Sequence, residues 1–226
     1  MGRVGRRNGA GWILRRRTSG NLILSAGVGF GVSSFLSLIS VVRSQRSAAF
    51  DLAATRSIQR ITTPSIARGM NLVSWLGFRP QSLILPALSV LSAVLFTNRR
   101  DARYLFFAWG ASFASFTTKL IVKRPRPGGD GIIVIQADLR DSSFPSGHVL
   151  HYVVFWGFVA YLLMVRLAPR RWRWLPVAYL SALVMLVGPS RVYLGHHWVT
   201  DVLGSYSLGS GLLLTMIGLH RREDRG

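Results

Sequence analysis

Hydrophobic positions along this chain come in long blocks separated by short basic turns. Residues 22–42 carry no charged side chain, and further apolar blocks run over 81–96, 102–122, 147–165, 174–187 and 198–219. Blocks of about twenty apolar residues, rising ~1.5 Å each as helix, match the ~30 Å hydrocarbon core of a bilayer. The pattern therefore predicts an all-α, polytopic membrane bundle with six transmembrane helices and short interfacial helices. The block at 81–96 is short: its sixteen residues span about 24 Å, so it needs its flanks, from about Phe78, to cross. Pro86 lies near its start, where a helix tolerates proline best. Gly204, Gly209 and Gly211 in the last block allow close helix packing.

Between the first two blocks the periodicity changes. Phe50, Ala54, Ile58 and Ile61 fall at helical spacing, with Arg56 and Arg60 on another face. Two readings fit: a helix lying in the interface with its arginines among lipid head groups, or an ordinary surface helix. Pro64 ends this segment, and Ile66, Met70, Val73 and Leu76 mark a second stripe up to Gly77. Gly128, Gly129 and Gly131 around Asp130 signal a turn. Residues 132–135 read either as a short strand or as a buried loop. The layout is a basic cytoplasmic tail at 1–21, one six-span membrane domain at 22–219 and a short tail at 220–226.

Composition sharpens this picture. Of 226 residues, 50% are hydrophobic and 16% charged, with mean hydropathy +0.33; soluble domains carry about 25% charge. The formal net charge of +20 raises nucleic-acid binding. The arginines, however, lie in short runs between apolar blocks, as in loops flanking membrane helices. Six spans place both termini on one side, with sixteen basic residues against twelve on the other. Lys119, Arg126 and Arg191 among the twelve belong to the candidate site described next. The positive-inside rule then puts the termini in the cytoplasm and the site on the outer face of the plasma (inner) membrane. There is no cysteine, which excludes thiol chemistry and thiolate metal sites.

Three stretches carry candidate chemistry. In the first, Lys119 precedes Arg126 by seven residues, and Pro125 and Pro127 bracket the arginine. Residues before proline avoid the helical region, so the helix ends near Arg124 with Lys119 on its last turn and Arg126 on rigid chain beyond. A lysine and an arginine so held suit a phosphate; the other reading of the stretch is a plain basic membrane flank. In the second, Ser146 fits a helix N-cap opening the fourth span. Its hydroxyl, the Gly147 N–H and the helix dipole favour an anion, with His148 beside it as proton donor. In the third, Arg191 precedes His197 by six residues and Asp201 follows it by four. On a helix that spacing lets Asp201 reach the His197 ring, fix its tautomer and leave the other nitrogen free to attack. Gly195 is a helix stop between Arg191 and His197. His151 and His196 read as packing or supporting residues.

Together these stretches resemble the signature of the type 2 phosphatidic acid phosphatases, a membrane lipid phosphatase superfamily related to the vanadium haloperoxidases. That signature is Lys-x6-Arg-Pro, Pro-Ser-Gly-His and Ser-Arg-x5-His-x3-Asp, and the chain matches it in order from Lys119 to Asp201. The resemblance implies hydrolysis of a lipid phosphomonoester or diphosphate: phosphatidate, phosphatidylglycerol phosphate or a polyprenyl diphosphate such as undecaprenyl diphosphate. It implies His197 as nucleophile forming a phosphohistidine, Asp201 orienting it, and His148 as general acid and then base. It implies Lys119, Arg126, Ser146, Gly147 and Arg191 as phosphate ligands. No metal or other cofactor is expected, because three cations neutralise the phosphoryl charge. The expected partners are a lipid phosphate and the surrounding membrane lipids, not nucleic acid; oligomeric state is not legible. Phosphate transfer to another lipid, or a silent binding protein with the same pocket, are the alternatives.

Overall fold

The computed structural model describes residues 9–224 apart from 62, 130, 136–140 and 168–170, with the side chains of 9–21 and 23 also outside the description. Asp130, Arg140, Arg170 and the outermost parts of both expected tails thus lie outside the described residues. The described chain is helical. Helix α1 spans Gly9–Arg43, α2 Ala48–Ile58, α3 Pro64–Ser74, α4 Gln81–Phe96, α5 Arg99–Gly110 and α6 Ser112–Val122. Helix α7 runs Gly147–Arg166 with a π-helical stretch at Tyr152–Trp156, α8 Trp174–Tyr193 and α9 Val199–Glu223. The segment 132–135 is a loop rather than a strand.

Five helical stretches are long and apolar enough to cross a membrane, and α5 and α6 together make one of them, Arg99–Val122. The sixth expected span is composite. Alone, α4 is too short; it reaches spanning length only with the segment Pro64–Gly77, and the two are bent by 48°. The helix of the first span starts earlier than the charge-free block: α1 is helical from Gly9, while its apolar, membrane-length stretch is Leu24–Arg43.

Local sequence explains the ends. Thr63 accepts the Ile66 N–H at 3.3 Å with Pro64 at the first helical position, so the proline expected to stop one helix instead starts the next. Asn98 caps α5 by accepting the Asp101 N–H at 2.8 Å. Lys123, in the left-handed conformation, ends α6 one residue before Arg124.

Helix α7 is the axis of the core. Val149, Leu150, Val154, Phe155 and Phe158 have no exposed surface, and α5, α8 and α9 pack around them. Helix α1 lies along α9, where a Cβ at Gly31 would sit 2.7 Å from the Ser207 carbonyl oxygen. Small residues on that face let the two backbones touch. Gly204 and Gly209 meet Phe144 and Val153 in the same way.

Helix α2 turns its apolar face outward, as the interfacial of the two readings expects. Its buried stripe is Ser47, Asp51, Thr55 and Gln59, at strict four-residue spacing. Phe50, Ile58 and Ile61 point outward, at 55%, 39% and 66% exposure. The polar face packs into the protein and the apolar face is left for lipid, because the protein side offers hydrogen-bond partners that lipid cannot.

At the end of the bundle away from residues 119–148, Asp101 collects three groups. It accepts from Arg166 at 3.1 Å, His220 Nε2 at 2.8 Å and Asn98 Nδ2 at 3.1 Å. Tyr161 lies 3.1 Å from His220 Nδ1. Replacing Asp101 by Ala strands these groups and is expected to cost about 3 kcal/mol. The check is the unfolding midpoint in detergent, with turnover per folded molecule unchanged below the transition.

Candidate active site

Every residue expected to carry chemistry lies at one end of the bundle, where α6 and α8 finish and α7 and α9 begin. Lys119 is on the last turn of α6, and its ammonium pairs with Asp141. Beyond Lys123 the chain leaves regular secondary structure. Arg126 donates to the His196 carbonyl at 2.6 Å and to Asp141 Oδ1 at 2.5 Å, and its Nη1 lies 3.3 Å from His197 Nε2. Lys119 and Arg126 thus share one carboxylate. Burial alone would raise the Asp141 pKa, but hydrogen bonds from these two cations hold it at about 2.

Ser146 occupies the N-cap position of α7, yet its hydroxyl makes no cap bond and is buried without a partner. A Cβ at Gly147 would meet only Ser115 Oγ, at 3.5 Å, so the protein's own packing does not demand glycine there. His148 follows, with Phe78 edge-on at 5.0 Å. Its ring lies against Gly77: a Cβ there would come within 2.3 Å of His148 Cδ2. Phe78 also lies under Arg191, 5.3 Å from the ring centre to the guanidinium carbon. Arg191 is 1% exposed, and its Nε and Nη1 have no hydrogen-bond partner. A buried guanidinium left this way costs several kcal/mol unless an anion meets it.

His197 is not on a helix. Helix α8 ends at Tyr193, Gly195 turns the chain at φ +72°, and α9 begins at Val199. Gly195 is required twice over, because a Cβ there would also lie 2.3 Å from the Ile133 carbonyl oxygen. The expected pairing of His197 with Asp201 is thus present as a 3.6 Å contact, but not on a helix, and the Ser143 carbonyl lies closer. His197 Nδ1 donates to the Ser143 carbonyl at 2.8 Å, while Asp201 Oδ2 stands 3.6 Å away. Asp201 Oδ2 instead accepts the Trp198 N–H at 2.8 Å, which caps α9. The tautomer outcome is the expected one: with Nδ1 carrying the proton, Nε2 keeps its lone pair and faces Arg126. Burial, then repulsion from Arg126, Arg191 and Lys119, holds the His197 pKa well below its ordinary value. His196 donates from Nε2 to the Ile135 carbonyl at 2.6 Å, and burial and Arg191 push its pKa down to about 4. His151 stacks on Phe155 at 5.4 Å, a packing role.

Sequence reasoning passed over four contributors. Arg124 donates to Asp201 Oδ1 and to Asp51 Oδ2, each at 2.6 Å. Asp51 lies on the polar face of α2, which the apolar stripe does not mark. Asp141 sits beyond the recognised motifs. The turn at Gly77–Phe78 packs on His148 and Arg191; Gly77 ending an apolar stripe beside a short span was its one signal.

A family model described as the PAP2 superfamily matches residues 100–225. The phosphatidylglycerophosphatase B of Bacillus subtilis is 29% identical over 196 residues, covering 84% of this chain and 93% of that protein. An undecaprenyl-diphosphatase of Sulfolobus acidocaldarius is 41% identical over 70 residues, 31% of this chain and 30% of that protein. Among solved structures, a transmembrane PAP2-type phosphatidylglycerolphosphate phosphatase from Bacillus subtilis superposes with a TM-score of 0.73 at 28% identity, over 85% of this chain and 96% of that one. Aquifex aeolicus LpxE superposes at 0.54 with 19% identity, over 74% of this chain and 93% of that one, a likeness of fold alone.

Two expectations follow from this geometry. Gly77→Ala must push the His148 ring aside, and an ångström-scale displacement there is expected to cut turnover about a hundredfold; circular dichroism and steady-state kinetics check this. If neutral His197 is needed, kcat/KM falls only as pH drops through its depressed pKa in the free protein, below pH ~6.5. A bound phosphate dianion offsets the cations, so the acid limb of kcat lies at higher pH than that of kcat/KM. Rate profiles from pH ~4 to ~8 test the order of the two limbs.

Proposed function

The chain belongs to the PAP2 superfamily, and from that premise we propose that it is an integral membrane phosphatase acting on a lipid phosphomonoester or diphosphate through a phosphohistidine. One observation carries the reading: His197 Nε2 lies 3.3 Å from Arg126, in the same site as the unpartnered buried guanidinium of Arg191. A nucleophile beside preorganised cations is what phosphoryl transfer requires, since charge spreads over three equatorial oxygens.

In this mechanism His197 Nε2 attacks phosphorus and the P–O bond to the lipid breaks. His148 gives its proton to the departing oxygen, then takes one from water as that water displaces His197. Lys119, Arg126 and Arg191 hold the phosphoryl oxygens, with Ser146 Oγ and the Gly147 N–H as further donors. A metal is not needed for charge neutralisation here. The neighbouring carboxylates Asp51, Asp141 and Asp201 are each already paired with a basic side chain. A cavity of about 430 Å³ lies at the edge of the site, lined by Lys119, Arg126 and Asp141. Relatives named for phosphatidylglycerophosphate and for undecaprenyl diphosphate make those two classes the first substrates to test.

The experiment is phosphate release from a panel of lipid phosphates and diphosphates in excess chelator, with acid-quenched labelling from phosphorus-labelled substrate. Label at His197, lost in His197→Ala together with turnover, is expected. Label elsewhere, or activity that needs added magnesium, overturns the mechanism. Arg191→Lys keeps charge but loses the fork, and is expected to lose about a hundredfold in kcat/KM.

The proposed orientation has the site facing outward. Gly129→Cys should label with an impermeant thiol reagent in intact cells and Gly226→Cys should not. The reverse pattern places the site in the cytoplasm.

A further inference from the structure

The catalytic reading gives no task to the best-connected charged pair near the site, Asp51 and Arg124. Arg124 follows the end of α6, and its side chain is only one-tenth exposed. One arm of its fork, Nη1, donates to Asp201 Oδ1 at 2.6 Å and to Thr200 Oγ1 at 2.7 Å. The other, Nη2, donates to Asp51 Oδ2 at 2.6 Å and to Ser47 Oγ at 3.3 Å. Asp51 in turn accepts the Thr200 N–H at 2.9 Å and its hydroxyl at 2.7 Å. Two carboxylates, 1% and 0% exposed, are thus bridged by one guanidinium.

Arg124 also governs what His197 Nδ1 meets. Its first neighbour, the Ser143 carbonyl, belongs to a residue whose N–H donates to the Arg124 carbonyl at 2.9 Å. The Arg124 N–H donates to Ser142 Oγ at 2.9 Å. Its second neighbour, Asp201 Oδ2 at 3.6 Å, is the other oxygen of the carboxylate that Arg124 grips, and it also accepts the Trp198 N–H. The backbone of Arg124 therefore places one acceptor and its side chain places the other.

We propose that Arg124 is a positioning residue for the phosphatase reaction: it sets the tautomer and proton affinity of His197 through Ser143 and Asp201, with Asp51 locking its fork. The inference rests on the phosphatase reading given above. Asp201 draws a proton towards the His197 ring, and the Arg124 charge opposes that draw. Without Arg124, the His197–Asp201 pair takes up a proton at higher pH, whichever of the two holds it. The other charged or titratable groups facing His197 are Arg126, Arg191 and Lys119 with His196 and His148, and the variants below leave all five in place. A lysine at 124 would keep the charge but could not span Asp51 and Asp201 together.

The test uses the full-length protein in detergent with nitrogen-15-labelled histidine. The chain has five histidines, and the His197 resonances are those absent from His197→Ala. In Arg124→Gln the His197 titration is expected to move up by about one pH unit or more. In Arg124→Lys it is expected to stay near the parent value, while kcat falls about tenfold and KM stays within about twofold. An unchanged titration in Arg124→Gln overturns the proposal. So does a rise in KM at unchanged kcat, which would make Arg124 a substrate contact. If Arg124→Gln does not fold, unchanged kcat in Arg124→Lys is the overturning result. Turnover of the parent protein is read on the same samples, so failure of the phosphatase reading is seen separately from failure of this one.

Discussion

The arrangement of this molecule depends on one guanidinium held between two buried carboxylates. Arg124 joins Asp51 on α2, Asp201 on the first turn of α9 and, through its backbone, the loop at Ser142–Ser143. Each carboxylate alone at that depth would carry an uncompensated charge, and removal of one partner from such a group costs several kcal/mol. The same contacts fix three chain segments that share no secondary structure. The loop carrying Ser146 and the turn carrying His197 are in register because both are tied to the residue that follows α6.

That anchor allows an electrostatic contrast a few residues away. Around Arg124 every charged group has an opposite partner, whereas Arg191 is buried with two nitrogens unpartnered, and Lys119 and Arg126 share the carboxylate of Asp141 at the mouth. Paired charge holds the scaffold; unpaired positive charge marks where an anion is stabilised. The low polarity of the surroundings strengthens both effects. It also keeps His196 and His197 neutral, as a nitrogen nucleophile must be.

The bent pair α3–α4 adds a second dependence. A sixteen-residue apolar helix is too short to cross, and the segment before it supplies the missing length at an angle of 48°. The turn ending that segment, Gly77–Phe78, lies against His148 and Arg191. Ser74 and Ser190 share a 2.7 Å hydrogen bond, and Tyr152 donates to the Val73 carbonyl at 2.6 Å. A shortfall in hydrophobic length thus becomes a cover over the catalytic end of the bundle.

Much of this was legible in the chain itself. Apolar block length marked the spans, because hydrocarbon thickness is a fixed ruler. Motif order from Lys119 to Asp201 marked the family, and alternating helix direction put all eight candidate residues at one end. What only the tertiary structure decided was which partner each polar group takes. Periodicity left the apolar face of α2 either inward or at the interface; the structure decided for the interface, because a polar stripe is buried when the protein offers it matching donors and acceptors, as Arg124 and Thr200 do for Asp51. Spacing suggested a helical His197–Asp201 pair; Gly195 and the late start of α9 gave the Nδ1 proton to the Ser143 carbonyl instead. Local sequence sets where helices start and stop. The partner of a buried charge comes from segments distant in the chain, here 73 residues apart for Asp51 and Arg124, and no local pattern records that distance.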